Sequence, residues 1–196
     1  MGFFDKEPKK PYVTTMASDK NFETQIKRDD IGQELQGRLL DAKVLFVPNQ
    51  GYMNEPDLLY FPVGTSELYQ FATSQNTEGL KVDVCSEESA YKEVALHADW
   101  LIITEFIVKE VVAPLFVALL ADYIIKKVGG KRDETIVKSK FTVVEEKTKK
   151  QIEFQYEGPA KEYRSVMLNA ITKNRSRKLP TPAGLKAKRK RHSKKK

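Results

Sequence analysis

Eleven consecutive apolar residues, VVAPLFVALLA at positions 111–121, restrict the fold of this chain more than any other feature. A helix that is apolar all round has no face to offer water, so it must be covered on both sides. The run is bounded by Lys109, Glu110 and Asp122, and a bilayer span needs about 20 apolar residues. It therefore reads as a buried helix and not a membrane anchor. One side can lie on a sheet; the other needs a second helix, a hairpin or another chain. The helix is expected over residues 106–128, with Pro114 kinking or restarting it. Lys126 and Lys127 followed by Gly129–Gly130 provide its stop. Val111, Leu115, Phe116 and Leu119 form the candidate docking face for a protein partner or a second copy.

The segments that can cover this helix follow from periodicity. Residues 42–47 (AKVLFV), ended by Pro48, read as a buried strand, and residues 58–63 (LLYFPV) as a second whose Pro62 marks an end or an edge. A short helix is expected from Thr65 or Ser66 to Thr73. Residues 80–85 alternate Leu80, Val82 and Val84, a third strand. Ser86 is placed to cap a helix reaching Asp99, with Glu87 and Glu88 in its first turn. WLIIT, 100–104, either continues that helix or forms a fourth strand. Residues 135–145 and 151–157 make a hairpin in which Ile152, Phe154 and Tyr156 oppose Glu153, Gln155 and Glu157, so one face is buried. Gly158–Pro159 breaks the strand before an amphipathic helix, 160–172, with Tyr163, Met167, Ala170 and Ile171 on one side. The expected fold is α+β: a small mixed sheet with a long buried apolar helix and a C-terminal β-hairpin–helix module. Residues 1–34, with Pro8 and Pro11 early and no sustained period, read as a flexible N-terminal arm, with room for a short helix over 22–28. The body then spans 35–172, divided into sheet and helices (35–128) and the hairpin–helix module (129–172).

Within residues 111–171 an apolar helix (PLFVALLADYI) meets a basic junction (KK), a hairpin (IVKSKFTVVEEKTKKQIEFQYEG), a Gly-Pro break and a short helix. This order of parts resembles the C-terminal half of small bacterial accessory components encoded beside effector proteins of conflict systems. The resemblance covers about a third of the chain. It implies an accessory role and brings no catalytic residue with it; the first half and the C-terminal tail lie outside it.

Charge is segregated. The net +7 combines 12 Lys and Arg with no Asp or Glu after Thr172 and 22 basic against 27 acidic residues before it. No Lys or Arg falls between Lys43 and Lys81, where Glu55, Asp57, Glu67 and Glu78 do. Residues 173–196 are expected to form a disordered basic tail, because such charge density buries no apolar area. Its candidate nucleic-acid contacts are Arg175, Arg177 and Lys178, then Lys186, Lys188, Arg189, Lys190, Arg191, Lys194, Lys195 and Lys196. The tail lacks aromatic residues, so bases cannot stack on it and sequence is not read. Non-specific binding to nucleic acid or another polyanion is expected, with a two-part nuclear localisation signal or a solubilising tail as the other readings.

Candidate chemistry is sparse. Cys85 and His97 could pair as nucleophile and base, although Cys85 ends an alternating strand and His97 stands four residues after Glu93, as in an ordinary surface pair. Two histidines and one cysteine do not make a closed zinc site, and no phosphate loop, dinucleotide fingerprint or nucleophile elbow occurs. No metal or cofactor is expected. Tyr52, Tyr60, Phe61, Tyr69 and Phe71 are either a face for a basic partner or core aromatics. The N-terminus shows no apolar signal segment, and Lys6 stands where a myristoylation site wants a hydroxyl. The expected protein is thus a cytoplasmic (or, in a eukaryotic host, nuclear) non-catalytic accessory or adaptor, its acidic body docking a partner and its tail binding nucleic acid. The alternatives are a small enzyme using Cys85 and His97, or an oligomer-forming structural subunit.

Overall fold

The fold is α+β, and the computed structural model describes residues 10–75, 77–96 and 100–176. Six strands form the main sheet: β1 (Tyr12–Ala17), β2 (Val44–Val47), β5 (Val82–Val84), β7 (Trp100–Lys109), β8 (Ile136–Val144) and β9 (Gln151–Pro159). Their spatial order is β1-β9-β8-β7-β2-β5. A second, three-stranded sheet joins β3 (Asn49–Tyr52), β4 (Glu55–Pro62) and β6 (Glu93–Val94). The pairs β7–β8 and β2–β5 are parallel; β1–β9, β8–β9 and β2–β7 are antiparallel.

A parallel pair cannot be closed by a tight turn and needs a crossover. Between β7 and β8 the crossover is the apolar helix α4 (Ala113–Val128). Its inner side meets Val44, Phe46, Phe106, Val108, Phe141 and Val143 of the sheet, and α5 (Tyr163–Ser176) adds Tyr163, Met167 and Ile171 to the same core. Phe106 anchors the layer, with the Phe46 and Phe116 ring centroids at 4.9 and 4.8 Å. α5 lies beside α4 on the same face of the sheet, so the flank of α4 is covered within the chain, while an outward stripe with Leu115, Asp122 and Lys126 stays exposed.

Three expectations change. First, residues 106–109 extend β7 instead of opening the helix, and Pro114 sits in the first turn of α4, where its missing N–H costs nothing and no kink results. Second, no helix follows Ser86: a 3₁₀ turn at Glu88–Ala90 and the two-residue β6 take its place. The acidic residues there cap other helices. Glu87 accepts the Gly32 amide at 2.8 Å, at the start of α2 (Gln33–Leu40). Glu93 accepts the Gly64 and Ser66 amides at 2.9 and 2.7 Å, at the start of α3 (Thr65–Ser74). Gly64 adopts φ 94°, a left-handed conformation that glycine tolerates without strain. Third, the expected N-terminal arm belongs to the fold from Tyr12 onward. β1 extends the sheet, and α1 (Phe22–Ile26) with α2 covers Leu45, Val47, Cys85 and Ile107 on the face opposite α4. Periodicity gave little sign of this, although Tyr12, Val13, Thr14 and Thr15 are all good strand formers, because β1 is fixed by pairing with β9. The expected tail also starts inside structure, since α5 continues through residues 173–176.

At Gly158 the chain entering β1 passes close to β9. A Cβ there would lie 2.7 Å from Pro11 Cα and 2.8 Å from the Tyr156 hydroxyl. Gly158→Ala should therefore destabilise the protein by about 1–3 kcal/mol. Gly37, inside α2 with nothing within 4 Å of its would-be Cβ, should become more stable as Ala by about 0.5–1 kcal/mol. Urea unfolding of the two variants checks the pair; equal effects would contradict the packing of β1 on β9.

Glu93 gives a pH prediction. Burial pushes its carboxyl up, but the Ser66 amide, the Tyr91 hydroxyl at 2.7 Å, the Gly64 amide and the Lys127 charge outweigh it, and the net direction is down. A carboxyl whose folded pKa is depressed stabilises the fold above its unfolded pKa of about 4.3 and loses that contribution as pH falls through the lower folded value. Glu93→Gln should cost about 1–2 kcal/mol at pH 7, with the difference from wild type shrinking on acidification below pH ~4. Thermal melts across pH 3–7 test this, and a pH-independent difference would contradict it.

Candidate nucleic-acid and partner surfaces

The basic tail follows α5, whose last turn is fixed to the body. The Arg175 guanidinium donates to the Glu110 carbonyl and lies 3.1 Å from its carboxylate. Arg175 and the β8–β9 turn line one groove of about 440 Å³, floored by Val143, Ile152, Phe154 and Ile171 and rimmed by Glu145, Thr148 and Lys150. Of the expected nucleic-acid contacts only Arg175 falls among the described residues, and there it is committed to Glu110. Arg177, Lys178 and the eight Lys and Arg from Lys186 to Lys196 lie outside them.

The candidate docking face divides. Val111 and Leu115 are exposed, at 67% and 39%. Phe116 and Leu119 are buried in the core, because the positions of α4 that face the sheet and α5 must be dry. Only the first two remain available to a partner.

The acidic segment between Lys43 and Lys81 mostly supplies core. Tyr60 and Phe61 are buried, Tyr69 packs edge-on to Phe46 with centroids 5.8 Å apart, and Phe71 meets Tyr123 at 5.6 Å. Tyr52 is half-buried against Tyr60 at 5.5 Å.

Cys85 is fully buried and donates its Sγ–H to the Gln25 carbonyl at 3.5 Å. Burial pushes its thiol up to about 11 despite the nearby Arg28 guanidinium. A thiol in this state lacks both the access and the thiolate fraction that nucleophilic catalysis uses. His97, its proposed base, lies outside the described residues. Among the described residues no group of His, Cys, Asp and Glu is placed to hold a metal ion, and no helix is long and apolar enough to cross a membrane.

One polar constellation was not apparent from the sequence. The face of β7, β8, β9 and β1 opposite α4 carries a ladder of paired charges. Both Glu105 oxygens lie 2.8 Å from Lys20 Nζ, and Lys140 Nζ stands 3.7 Å from Glu105 and 3.2 Å from Glu153. Gln155 donates to Glu153 at 2.7 Å. Along the same face Glu157 accepts from the Tyr12 hydroxyl at 2.8 Å and pairs with Lys138 at 3.0 Å, while Lys138 lies over the Trp100 ring at 4.0 Å. Two hollows of about 380 and 460 Å³ share Asn49 and Glu105. The alternation of Glu153, Gln155 and Glu157 signals this face, but Glu105 falls between a segment left open as helix or strand (100–104) and the helix expected from 106, so its lysine partners could not be assigned. Each buried carboxylate here has a cation in contact, and the ladder acts as internal charge compensation.

No family model matches the chain, and neither the curated proteins nor the solved structures contain a match.

The state of Cys85 is open to a direct check. Iodoacetamide at pH 8 should leave the native protein unmodified and label it promptly once denatured; rapid stoichiometric labelling of the native protein would show that the burial is wrong.

Proposed function

We propose that this chain is a non-catalytic accessory protein whose basic C-terminal tail binds nucleic acid without sequence preference and whose folded body docks a protein partner. The observation that carries the reading is the charge balance: 12 cations and no anion from Lys173 onward, beyond a body that pairs its own buried carboxylates. Asp83 is held by Arg38 at 2.9 Å, and Glu105 and Glu153 by Lys20 and Lys140. The buried acids of the body thus leave little demand for the tail's cations, whose charge can be spent on polyanions. Phosphate binding would release condensed counterions, a favourable term that needs no shaped pocket. Val111 and Leu115, exposed at the start of α4, are the proposed partner contacts on the body. The accessory role also accords with the resemblance of residues 111–171 to components encoded beside conflict-system effectors.

Truncation after Ser176 keeps α5 and its Arg175–Glu110 pair while removing ten of the twelve cations. The truncated chain should melt like the full one and lose DNA and RNA binding in gel shifts. For the full chain, log K should fall with log salt by about 0.9 for each phosphate neutralised on duplex. Equal affinity with and without the tail, or no dependence on salt, would sink the reading.

A further inference from the structure

The two edges of the main sheet are built differently. At one, β5 is three residues long, with Lys81 before it and Asp83 held by Arg38 within it. Shortness and charge are the usual ways of blunting an edge. At the other, β1 runs for six residues, YVTTMA, with no charge, proline or glycine, and pairs with β9 without a register shift. Five of its six residues are exposed.

The hydrogen-bond phase of that edge is fixed by two observations. The Ser18 amide donates to the Gln151 carbonyl at 3.3 Å, and the Glu145 amide to the Lys150 carbonyl at 2.9 Å. Because bonded pairs alternate along antiparallel ladders, Gln151, Glu153, Gln155 and Glu157 turn their backbone groups toward β1, where they meet Ser18, Met16, Thr14 and Tyr12. Val13, Thr15 and Ala17 therefore direct their N–H and C=O groups outward. The outward set is symmetric about Thr15.

We infer that β1 is a self-association edge, at which a second copy of this chain adds its own β1 antiparallel across a two-fold axis at Thr15. Thr15 faces Thr15 of the other copy, and Val13 faces Ala17 in both directions, giving about six ladder hydrogen bonds. The lack of charge in β1 means that a second copy meets no like charge across the ladder. On the face away from α4, Met16 and Tyr12, 48% and 51% exposed, become cross-strand and diagonal neighbours of Thr14 and Met16 of the other copy and lose water. A second copy presents the same uncharged six-residue edge in the same phase, so the pairing is self-complementary. This inference is independent of what the tail binds.

Light scattering on the nuclease-treated full chain in high salt tests it. The wild type should show twice 22.4 kDa, falling toward the single-chain mass on dilution. Thr15→Pro removes an outward N–H without touching the ladder to β9, so it should fold, with an unchanged circular dichroism spectrum, and remain at the single-chain mass. Should that variant fail to fold, Thr15→Cys decides. Bonded pairs place Cα atoms about 5.5 Å apart, within disulfide reach, so mild oxidation should give a covalent dimer. Thr14→Cys, offset from its symmetry mate, should not cross-link, and Cys85 is buried. A wild type of single-chain mass at every concentration, a doubled mass retained by Thr15→Pro, or cross-linking at 14 instead of 15 would each overturn the inference; the second would place association elsewhere, at Val111 and Leu115 first.

Discussion

The parallel pairing of β7 with β8 is the constraint from which the rest of the architecture follows. It forces a crossover, and the crossover is a helix too apolar to leave uncovered. Packing its inner side against Phe46, Phe106 and Phe141 leaves an apolar flank beside it on the sheet that still needs filling. The chain fills that flank by turning back through β9 into α5, which lies against α4, β9 and β1 with Tyr163, Met167 and Ile171 buried. The hairpin and the last helix are therefore part of one core with α4. This is also why Phe116 and Leu119 are unavailable to partners: the covering layer that an isolated reading of the helix assigns to another molecule comes from the same chain.

The second face of the sheet follows a different rule. Over β2, β7 and the end of β5, helices α1 and α2 and the link between them bring Ile26, Leu35, Leu39 and the linking Ile31 against Leu45 and Ile107. Farther along, over β8, β9 and β1, none of the described helices arrives, and the side chains change to lysine, glutamate and glutamine. A sheet face without a covering layer must be wetted, and charged pairs across neighbouring strands achieve this while contributing modestly to register. Glu105 sits at the boundary. It is buried, and a buried carboxylate is tolerable only with cations in contact, which Lys20 and Lys140 supply.

The legible parts of the sequence were those whose signal is local. The alternation of Ile152, Phe154 and Tyr156 placed β9 and its buried face, and the lysines and glycines after Ile125 placed the end of α4. What failed depended on distant partners. Glu87 looks like a first-turn residue of its own helix and Glu93 like half of a surface pair with His97, yet their carboxylates serve the amides of Gly32 and of Gly64 and Ser66. Capping by a remote side chain leaves no local pattern. Likewise Tyr12–Ala17 is weakly patterned and becomes a strand because β9 offers it an open ladder, with Gly158 allowing Pro11 to approach. The basic tail was legible as charge, while its junction was not: Arg175 belongs to α5 because Glu110 holds it there.

The β1 edge and the basic tail stand for two kinds of recognition. A strand edge recognises through regularly spaced backbone groups, so its specificity lies in length, phase and the absence of obstructing charge. A polybasic segment recognises through charge density alone, which falls off with salt and is indifferent to register. Pairing two copies through β1 would bring two tails into one assembly, and two weak electrostatic contacts joined in this way act with the effective concentration of a tethered pair. The gain would come without any new contact to nucleic acid. If both proposals hold, the uncharged edge would matter to the tail by setting how many tails act together.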